Sequence, residues 1–217
     1  MDYAVTASER CDRVNENKKK IGIMGGTFNP IHCGHLMIAE DACNYCQLDE
    51  VIFIPSGNSY MKEASEILEG EVRLEMICLA IDSNPRFSGS DIEIKRKGNT
   101  YTYETLEELH EIYKEASLYF IMGADNLLSI EKWKCFEKVL KECIIIVASR
   151  GEIEFERLKE QADRLKEVYQ ASVILLPERK MDFSSTEIRK RILNGQSVRY
   201  MMPEGVINYI EEKNLYR

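Results

Sequence analysis

The fold is decided by residues 21–35, which read Ile-Gly-Ile-Met-Gly-Gly-Thr-Phe-Asn-Pro-Ile-His-Cys-Gly-His. A short apolar strand over residues 21–24 runs into two glycines, and helical periodicity begins at Gly34. Glycines allow a sharp turn and a close approach to a ligand, and the helix start that follows presents free N–H groups to anions. This stretch therefore predicts an α/β protein with a phosphate-binding turn after its first strand.

The same alternation of strand and helix continues along the chain. Further strands are predicted at residues 50–55, 117–122, 142–149 and 172–176, and helices at 34–47, 72–82, 103–114, 135–140, 155–169, 184–193 and 203–213. Strands that alternate with crossover helices predict a Rossmann-like, doubly wound, mostly parallel sheet with flanking helices and a helical C-terminal end. Ligands of such sheets bind at the carboxyl ends of the strands.

Length and composition set the class of protein. The 217 residues fit one domain, predicted over residues 21–217, and the polar residues 1–20 predict a flexible N-terminal tail. A net charge of −8 argues against a nucleic-acid partner, and the apolar runs are too short for a membrane span. Seven cysteines without a secretory segment predict reduced thiols and a cytoplasmic location. The sequence leaves a homo-oligomer open.

Two of the three histidines, His32 and His35, lie within four residues of each other at the first helix start. A spacing of three lets both imidazoles face one pocket and donate to phosphate oxygens as charge builds during a displacement. Gly34 leaves room between them. One histidine at a helix start is often only a cap, but a pair at a glycine-rich turn favours a catalytic site.

Two later segments predict further nucleotide contacts. Residues 184–189 read Ser-Ser-Thr-Glu-Ile-Arg, in which Ser184 and Glu187 have the spacing of a capping box and Arg189 lies one turn into the helix. Hydroxyls, free N–H groups and a guanidinium together suit a polyphosphate. Asp125 follows a strand, where its carboxylate can accept from ribose hydroxyls or, alternatively, cap the next helix.

At these residues the sequence resembles the nucleotidyltransferase superfamily marked by H-x-G-H, and the string G-G-T-F-N-P-I-H is similar to its bacterial nicotinate-nucleotide adenylyltransferases. The resemblance covers most of residues 21–212. Further matching strings are Ile-Lys-Arg at 94–96, Thr-Tyr-Thr at 100–102, Gly-Ala-Asp-Asn-Leu-Leu at 123–128 with Trp133, and the string at 184–189.

The resemblance implies a role for each group of these residues. It implies that ATP is bound by residues of the first turn, the end of the strand at 117–122 and the late helix: Gly25, Gly26, Thr27, Phe28, His32, His35, Gly123, Asp125, Ser185, Thr186 and Arg189. It implies that the pyridine substrate is bound by Trp133, which stacks on the ring, and by the backbone near Thr102 and Lys134, which grips the carboxylate. His32, His35, Lys62 and Arg189 are the implied catalytic residues, with Mg²⁺ travelling with ATP and no dedicated metal site.

The sequence departs from the family pattern at two places. Lys134 stands where an aromatic residue is common, and residues 59–62 read Ser-Tyr-Met-Lys where the family has Pro-Pro-His-Lys. Tyr60 offers a ring and a hydroxyl to a substrate, but only Lys62 of that motif remains, so selectivity for the acid over the amide stays open. Arg73 is interpreted as a solvated residue of a first helical turn and is left out of the site.

The implied reaction transfers an adenylyl group from ATP to nicotinate mononucleotide on the way to NAD, with release of pyrophosphate. Two alternatives stay open at this point. The first is the same chemistry on nicotinamide mononucleotide or another phosphate acceptor, and the altered residues 59–62 favour it. The second is a non-catalytic ATP-binding sensor.

Overall fold

The computed structural model describes residues 18–57, 67–149, 155–179 and 183–217. Its described strands are β1 (Lys19–Gly26), β2 (Glu50–Pro55), β3 (Phe87–Gly89), β4 (Ala116–Gly123), β5 (Ile144–Ala148) and β6 (Val173–Leu175). They form one parallel sheet in the order β3-β2-β1-β4-β5-β6. The predicted parallel α/β fold is confirmed.

Helices cover both faces of this sheet. They are α1 (Cys33–Cys46), α2 (Gly70–Ile81), α3 (Thr102–Ile112), α4 (Ala124–Ser129), α5 (Phe136–Glu142), α6 (Phe155–Tyr169), α7 (Ser185–Leu193) and α8 (Glu204–Glu212), with a 3₁₀ turn at Ile130–Lys132. One core packs α1, α2, α7 and α8 on the first face, and a second core packs α3, α4, α5 and α6 on the other. Because both faces are buried, the central strands are apolar without interruption.

The strand order reverses at β1. The connection through α1 leads from β1 to β2, whereas β4 lies on the opposite side of β1 and is reached through α3. A crevice opens at the carboxyl ends of the strands where the order reverses in this way, and it is the usual ligand site of such sheets. The site residues predicted after β1 and after β4 therefore lie at the same crevice.

Two short elements escaped the sequence prediction. Strand β3 has three residues and is recognisable only through its pairing, in which Val51 lies opposite Phe87. Helix α4 begins at Ala124, inside the stretch interpreted as a turn, so Gly123 is its N-cap and Asp125 lies in its first turn. The alternative interpretation of Asp125 as an N-cap is therefore wrong.

Boundaries elsewhere moved by one or two residues. Strand β1 takes in Lys19 and Lys20, which the pattern assigned to the tail, and residues 1–17 lie outside the described residues. Cys135 precedes α5 as a left-handed N-cap with φ of 52°, so that helix starts one residue later than predicted. No helix in the described parts of the chain is long and apolar enough to cross a bilayer.

Candidate active site

Residues 25–32, here called the β1–α1 turn, lie at the reversal point of the sheet. Gly25 and Gly26 are the last residues of β1 and pair with Ile54 and Pro55, so they extend the strand and do not make the predicted sharp turn. The left-handed residue that redirects the chain is Phe28, with φ of 47°. Gly26 is needed because it has no side chain: a Cβ at this position would lie 3.0 Å from the Phe28 ring.

His32 and His35 meet at the start of α1. His32 is the N-cap, and its ring stacks on that of His35 with centroids 3.7 Å apart. The backbone N–H of His32 donates to Nδ1 of His35 at 3.2 Å. A neutral imidazole that accepts at Nδ1 carries its hydrogen at Nε2. His35 therefore presents an N–H donor at Nε2, while His32 is buried beneath it.

Gly34 lies where the His32 ring and Phe183 approach the backbone of α1. A Cβ at this position would be 2.9 Å from Cβ of Phe183 and 3.1 Å from two ring atoms of His32. Such distances force one of the neighbours to move. The space left by the missing side chain of Gly34 is thus needed by His32, as predicted, and also by Phe183, which precedes α7.

Helix α7 is fastened to the β1–α1 turn by two side chains. Ser184 caps the helix through its hydroxyl, as the capping-box spacing predicts. Ser185 donates from Oγ to the carbonyl of Pro30, and Arg189 donates from Nη1 to the carbonyl of Asn29, each at 2.9 Å. The late string therefore lies against the histidine turn, although more than 150 residues separate them in sequence.

Other residues of the predicted site occupy less enclosed positions. Thr186 is exposed in the first turn of α7, and Gly123 and Asp125 are exposed at the carboxyl end of β4. No atom lies within 4 Å of a Cβ built on Gly123. Lys62 and Tyr60 lie outside the described residues.

A cavity of about 160 Å³ opens at the carboxyl ends of β1, β2 and β4. Five residues of the predicted site line it: Gly25, Gly26, Thr102, Trp133 and Lys134. An apolar cavity of roughly 150 Å³ is large enough to hold benzene. The cavity therefore has the size of one aromatic ring, and the two glycines place it directly beside the β1–α1 turn.

One wall of the cavity is aromatic and another carries positive charge. Trp133 contacts Phe120 edge to face, with ring centroids 6.1 Å apart. Thr102 is the first residue of α3, whose free N–H groups give the helix start a partial positive charge. Nζ of Lys134 lies 4.0 Å from the centroid of the Tyr101 ring, beside that helix start. Both features attract an anionic substituent on a bound ring.

Glu93 and Asn126 also line the cavity and were not among the predicted site residues. The Glu93 carboxylate accepts from the Thr105 hydroxyl at 2.7 Å and from the N–H of Gly57 at 3.4 Å. Glu93 stands in a polar stretch without regular periodicity, where nothing in the sequence marks it. Asn126 could have been predicted, because it belongs to the segment 123–128 that carries the family resemblance.

Arg73 is buried, with 3% of its surface exposed, so its interpretation as a solvated residue is wrong. Its guanidinium donates to three main-chain carbonyls, those of Leu68 at 2.8 Å, Thr27 at 2.8 Å and Ser56 at 2.6 Å. Burial lowers the pKa of Arg73 from its usual value. The sequence did contain a signal, because Arg73 precedes the buried Met76 by three residues and so lies on the same helical face.

The fold and the site define a class of protein, a parallel α/β protein with a histidine pair at the turn after its first strand. The cytidylyltransferase-like family model matches residues 23–191. A probable nicotinate-nucleotide adenylyltransferase of Lachnoclostridium phytofermentans is 44% identical over 198 residues, which are 91% of this chain and 99% of that protein. One of Dehalococcoides mccartyi is 44% identical over 199 residues, 91% of this chain and 97% of the relative. The chain belongs to the cytidylyltransferase-like family and, within it, to the nicotinate-nucleotide adenylyltransferases.

Solved structures show the same fold. The chain superposes on Plasmodium falciparum nicotinic acid mononucleotide adenylyltransferase complexed with NaAD with a TM-score of 0.75 and 23% identity, over 91% of this chain and 97% of that one. A structure from Vibrio parahaemolyticus, titled as a putative nicotinate-nucleotide adenylyltransferase, gives a TM-score of 0.66 at the same identity, over 92% of this chain and 96% of that one.

Proposed function

We propose that the protein transfers the adenylyl group of ATP to nicotinate mononucleotide, forming nicotinate adenine dinucleotide and pyrophosphate. The observation that carries the proposal is the position of the ring-sized cavity, which shares Gly25 and Gly26 with the turn that leads to the histidine pair. A pyridine ring in the cavity leaves its ribose phosphate at the carboxyl edge of the sheet, beside an ATP bound at α1. The name of the relatives at 44% identity supports the same substrate.

The reaction needs no covalent intermediate on the protein. A phosphate oxygen of the mononucleotide attacks the α-phosphorus of ATP, and the bond from that phosphorus to the bridging oxygen breaks as pyrophosphate leaves. Positioning and stabilisation of charge supply the catalysis. His35 donates from Nε2 to an oxygen of the α-phosphate, and the buried His32 supports its ring from below.

The remaining polar residues bind the two substrates. Thr186 and the remaining N–H groups of the Arg189 guanidinium hold the outer phosphates at the start of α7. Ser185 contributes its backbone N–H, because its hydroxyl already donates to Pro30. Asp125 and the open space at Gly123 accommodate the ribose, while the exposed edge at Gly25 lets the nucleotide approach the strand end. Lys62 neutralises phosphate charge in this proposal on the strength of its sequence position alone.

The proposed metal is Mg²⁺ that enters with ATP. Among the described residues, no group of three or more His, Cys, Asp or Glu side chains is placed to hold a metal ion. Magnesium usually keeps several waters and is bound largely through substrate phosphates, and we infer the same here. When bound, the ion neutralises phosphate charge.

The charge around the cavity favours the acid as the acceptor. The start of α3 and Lys134 both present positive charge to a ring carboxylate. Glu93 favours the alternative, nicotinamide mononucleotide, because a carboxylate on the cavity wall could accept from a carboxamide. Each of its two oxygens already accepts one hydrogen bond, from Thr105 and from Gly57, and keeps a further lone pair for a substrate.

The proposal is tested by pyrophosphate release from the purified protein with ATP and Mg²⁺, comparing nicotinate mononucleotide with nicotinamide mononucleotide at matched concentrations. We expect a strong preference for the acid. Preference for the amide would keep the mechanism and overturn the substrate. Tight ATP binding without pyrophosphate release on either acceptor would overturn both pyridine substrates and leave another phosphate acceptor or a non-catalytic sensor.

Gly34→Ala should lower kcat about tenfold or more, because the added methyl group displaces His32 or Phe183 and misaligns the histidine pair. The matched control is Gly205→Ala in α8, where the nearest atoms to an added Cβ are 3.7 Å and 3.8 Å away. Steady-state kinetics and circular dichroism on both variants check this. A folded Gly34→Ala protein with wild-type kcat would contradict the placement of His32.

Lys134→Ala should reduce the preference for nicotinate over nicotinamide mononucleotide about two- to fivefold, the usual worth of one exposed charge. The loss should appear in kcat/KM for the acid and leave kcat/KM for the amide nearly unchanged. Lys132→Ala is the control, since Lys132 is exposed two residues away and does not line the cavity. Equal losses on both acceptors would show that Lys134 does not read the carboxylate.

A further inference from the structure

We infer that Tyr216 is a positioning residue of the adenylyl transfer, acting through Asn29 of the β1–α1 turn. The inference rests on the proposed function for its kinetic consequence. Its structural part, that the Tyr216 hydroxyl holds this turn in place, can be tested without turnover.

The contact is direct and enclosed. The Tyr216 hydroxyl donates to Oδ1 of Asn29 at 2.8 Å, and the N–H of Leu68 reaches the same oxygen at 3.4 Å. Asn29 is buried, with 4% of its surface exposed, although it lies in a turn at the edge of the sheet. The side chain of Asn29 is therefore an anchor for the turn rather than a ligand of the crevice.

The backbone of the same turn accepts hydrogen bonds from other parts of the protein at four of the five residues 26–30. The carbonyl of Gly26 accepts from the N–H of Ser56, and that of Thr27 accepts from Arg73. The carbonyls of Asn29 and Pro30 accept from the two α7 side chains described above. In a trans peptide the N–H points away from its carbonyl. Holding the carbonyls toward the protein thus fixes the direction of the N–H groups of Thr27 and Phe28.

Tyr216 reaches this turn because the chain folds back after α8. Leu215 donates from its backbone to the carbonyl of Ile210 and packs on the first core. Asn214 and Tyr216 have left-handed backbones, with φ of 51° and 62°. Such conformations are unfavourable for residues with side chains and persist where the surroundings impose them. The position of the Tyr216 ring is therefore specified by local structure.

The surroundings keep the hydroxyl a hydrogen-bond donor. Burial raises the pKa of Tyr216 above its usual value, against the opposing effect of the positive Arg189 and Arg73. Both arginines also donate to carbonyls of the β1–α1 turn. Tyr216 thus joins the same group of donors that fixes the turn carrying His32.

Tyr209 provides a matched control. It lies in α8, is buried, and donates from its hydroxyl to Glu75 of α2 at 2.7 Å, with a pKa raised to about 12 by burial and by that hydrogen bond. Tyr209→Phe and Tyr216→Phe each remove one hydroxyl that ties the end of the chain to the rest of the fold. Only the second removes a contact to the β1–α1 turn.

The experiment compares the wild type, Tyr216→Phe and Tyr209→Phe in two measurements. Hydrogen–deuterium exchange of the peptide spanning residues 27–32 should be several-fold faster in Tyr216→Phe than in the other two proteins. Pyrophosphate release should show kcat reduced about tenfold in Tyr216→Phe, with the KM for ATP changed less than twofold, and no change in Tyr209→Phe.

The outcomes distinguish failure of the positioning role from failure of the proposed function. Exchange that stays at the wild-type rate in Tyr216→Phe would overturn the positioning role, whatever the kinetics. Equal kinetic losses in both variants would also overturn it, because they would reflect docking of the C-terminal segment in general. A wild type that releases no pyrophosphate would sink the proposed function, while the exchange comparison would still decide whether Tyr216 holds the turn.

Discussion

His35→Asn is expected to lower kcat by a factor on the order of 10²–10³, the usual cost of removing one donor aimed at transition-state charge. Nε2 of His35 is the donor in question, because Nδ1 already accepts the N–H of His32. Asparagine preserves an acceptor near the Nδ1 position and so keeps the start of α1 intact. It removes only the part of the side chain that reaches the phosphate. The KM for ATP should change much less than kcat.

The control for this substitution is His110→Ala. His110 is the third histidine of the chain and contacts the carbonyl and carboxylate of Glu142, away from the β1–α1 turn. Its replacement should leave kcat at the wild-type level. Near-normal turnover in His35→Asn would show that His35 serves only as part of the helix start, and the proposed mechanism would then lose its central donor.

Arg73→Met is expected to destabilise the protein by roughly 3 kcal/mol, because the carbonyls of Leu68, Thr27 and Ser56 lose charged donors in a buried setting. Methionine fills much of the volume and removes the desolvation cost of the guanidinium, which limits the loss. For a domain of this size, a change of about 3 kcal/mol lowers Tm by roughly 6–12 °C. Thermal and urea unfolding measure it.

Arg164→Met is the matched substitution at the surface. Arg164 pairs with Glu131 and is about half exposed, so its loss should leave the free energy of unfolding nearly unchanged. If Arg73→Met were as stable as Arg164→Met, the three carbonyls would have found water, and Arg73 would not be the fastening point described. The free energies of unfolding of the two variants would then be indistinguishable.

Much of the fold could be predicted from the sequence because its signals are local. The strand at residues 50–55 and the helix at 155–169 were predicted with the bounds that the structure has. The strand is a continuous apolar run, and the helix is long enough for its apolar residues to recur with a period of 3.6. Strand β3 and helix α4 are too short for that, with three and six residues. Strand β3 exists because β2 completes its hydrogen bonds, and α4 is held by the packing of Ala124 and Leu127 on the second core.

Parts of the candidate site were also visible in the sequence. The spacing of His32 and His35 and the N-cap at Ser184 are set by helix geometry, so their local arrangement follows from residue numbers alone. The resemblance named Trp133 and Lys134, and the structure places both at the cavity. Their roles in substrate binding stay predictions until the kinetic experiments are made.

The sequence by itself determined a parallel α/β fold, a histidine pair at its first turn and a capped helix near its end, because each of these depends on residues within one or two turns of each other. Only the tertiary structure decided what fastens that turn. Arg73 lies 46 residues from Thr27, Ser185 lies 155 from Pro30, and Tyr216 lies 187 from Asn29. Most of their partners are backbone carbonyls, which every residue carries. An acceptor of that kind leaves no mark in a sequence, and folding alone selects which carbonyl meets which donor.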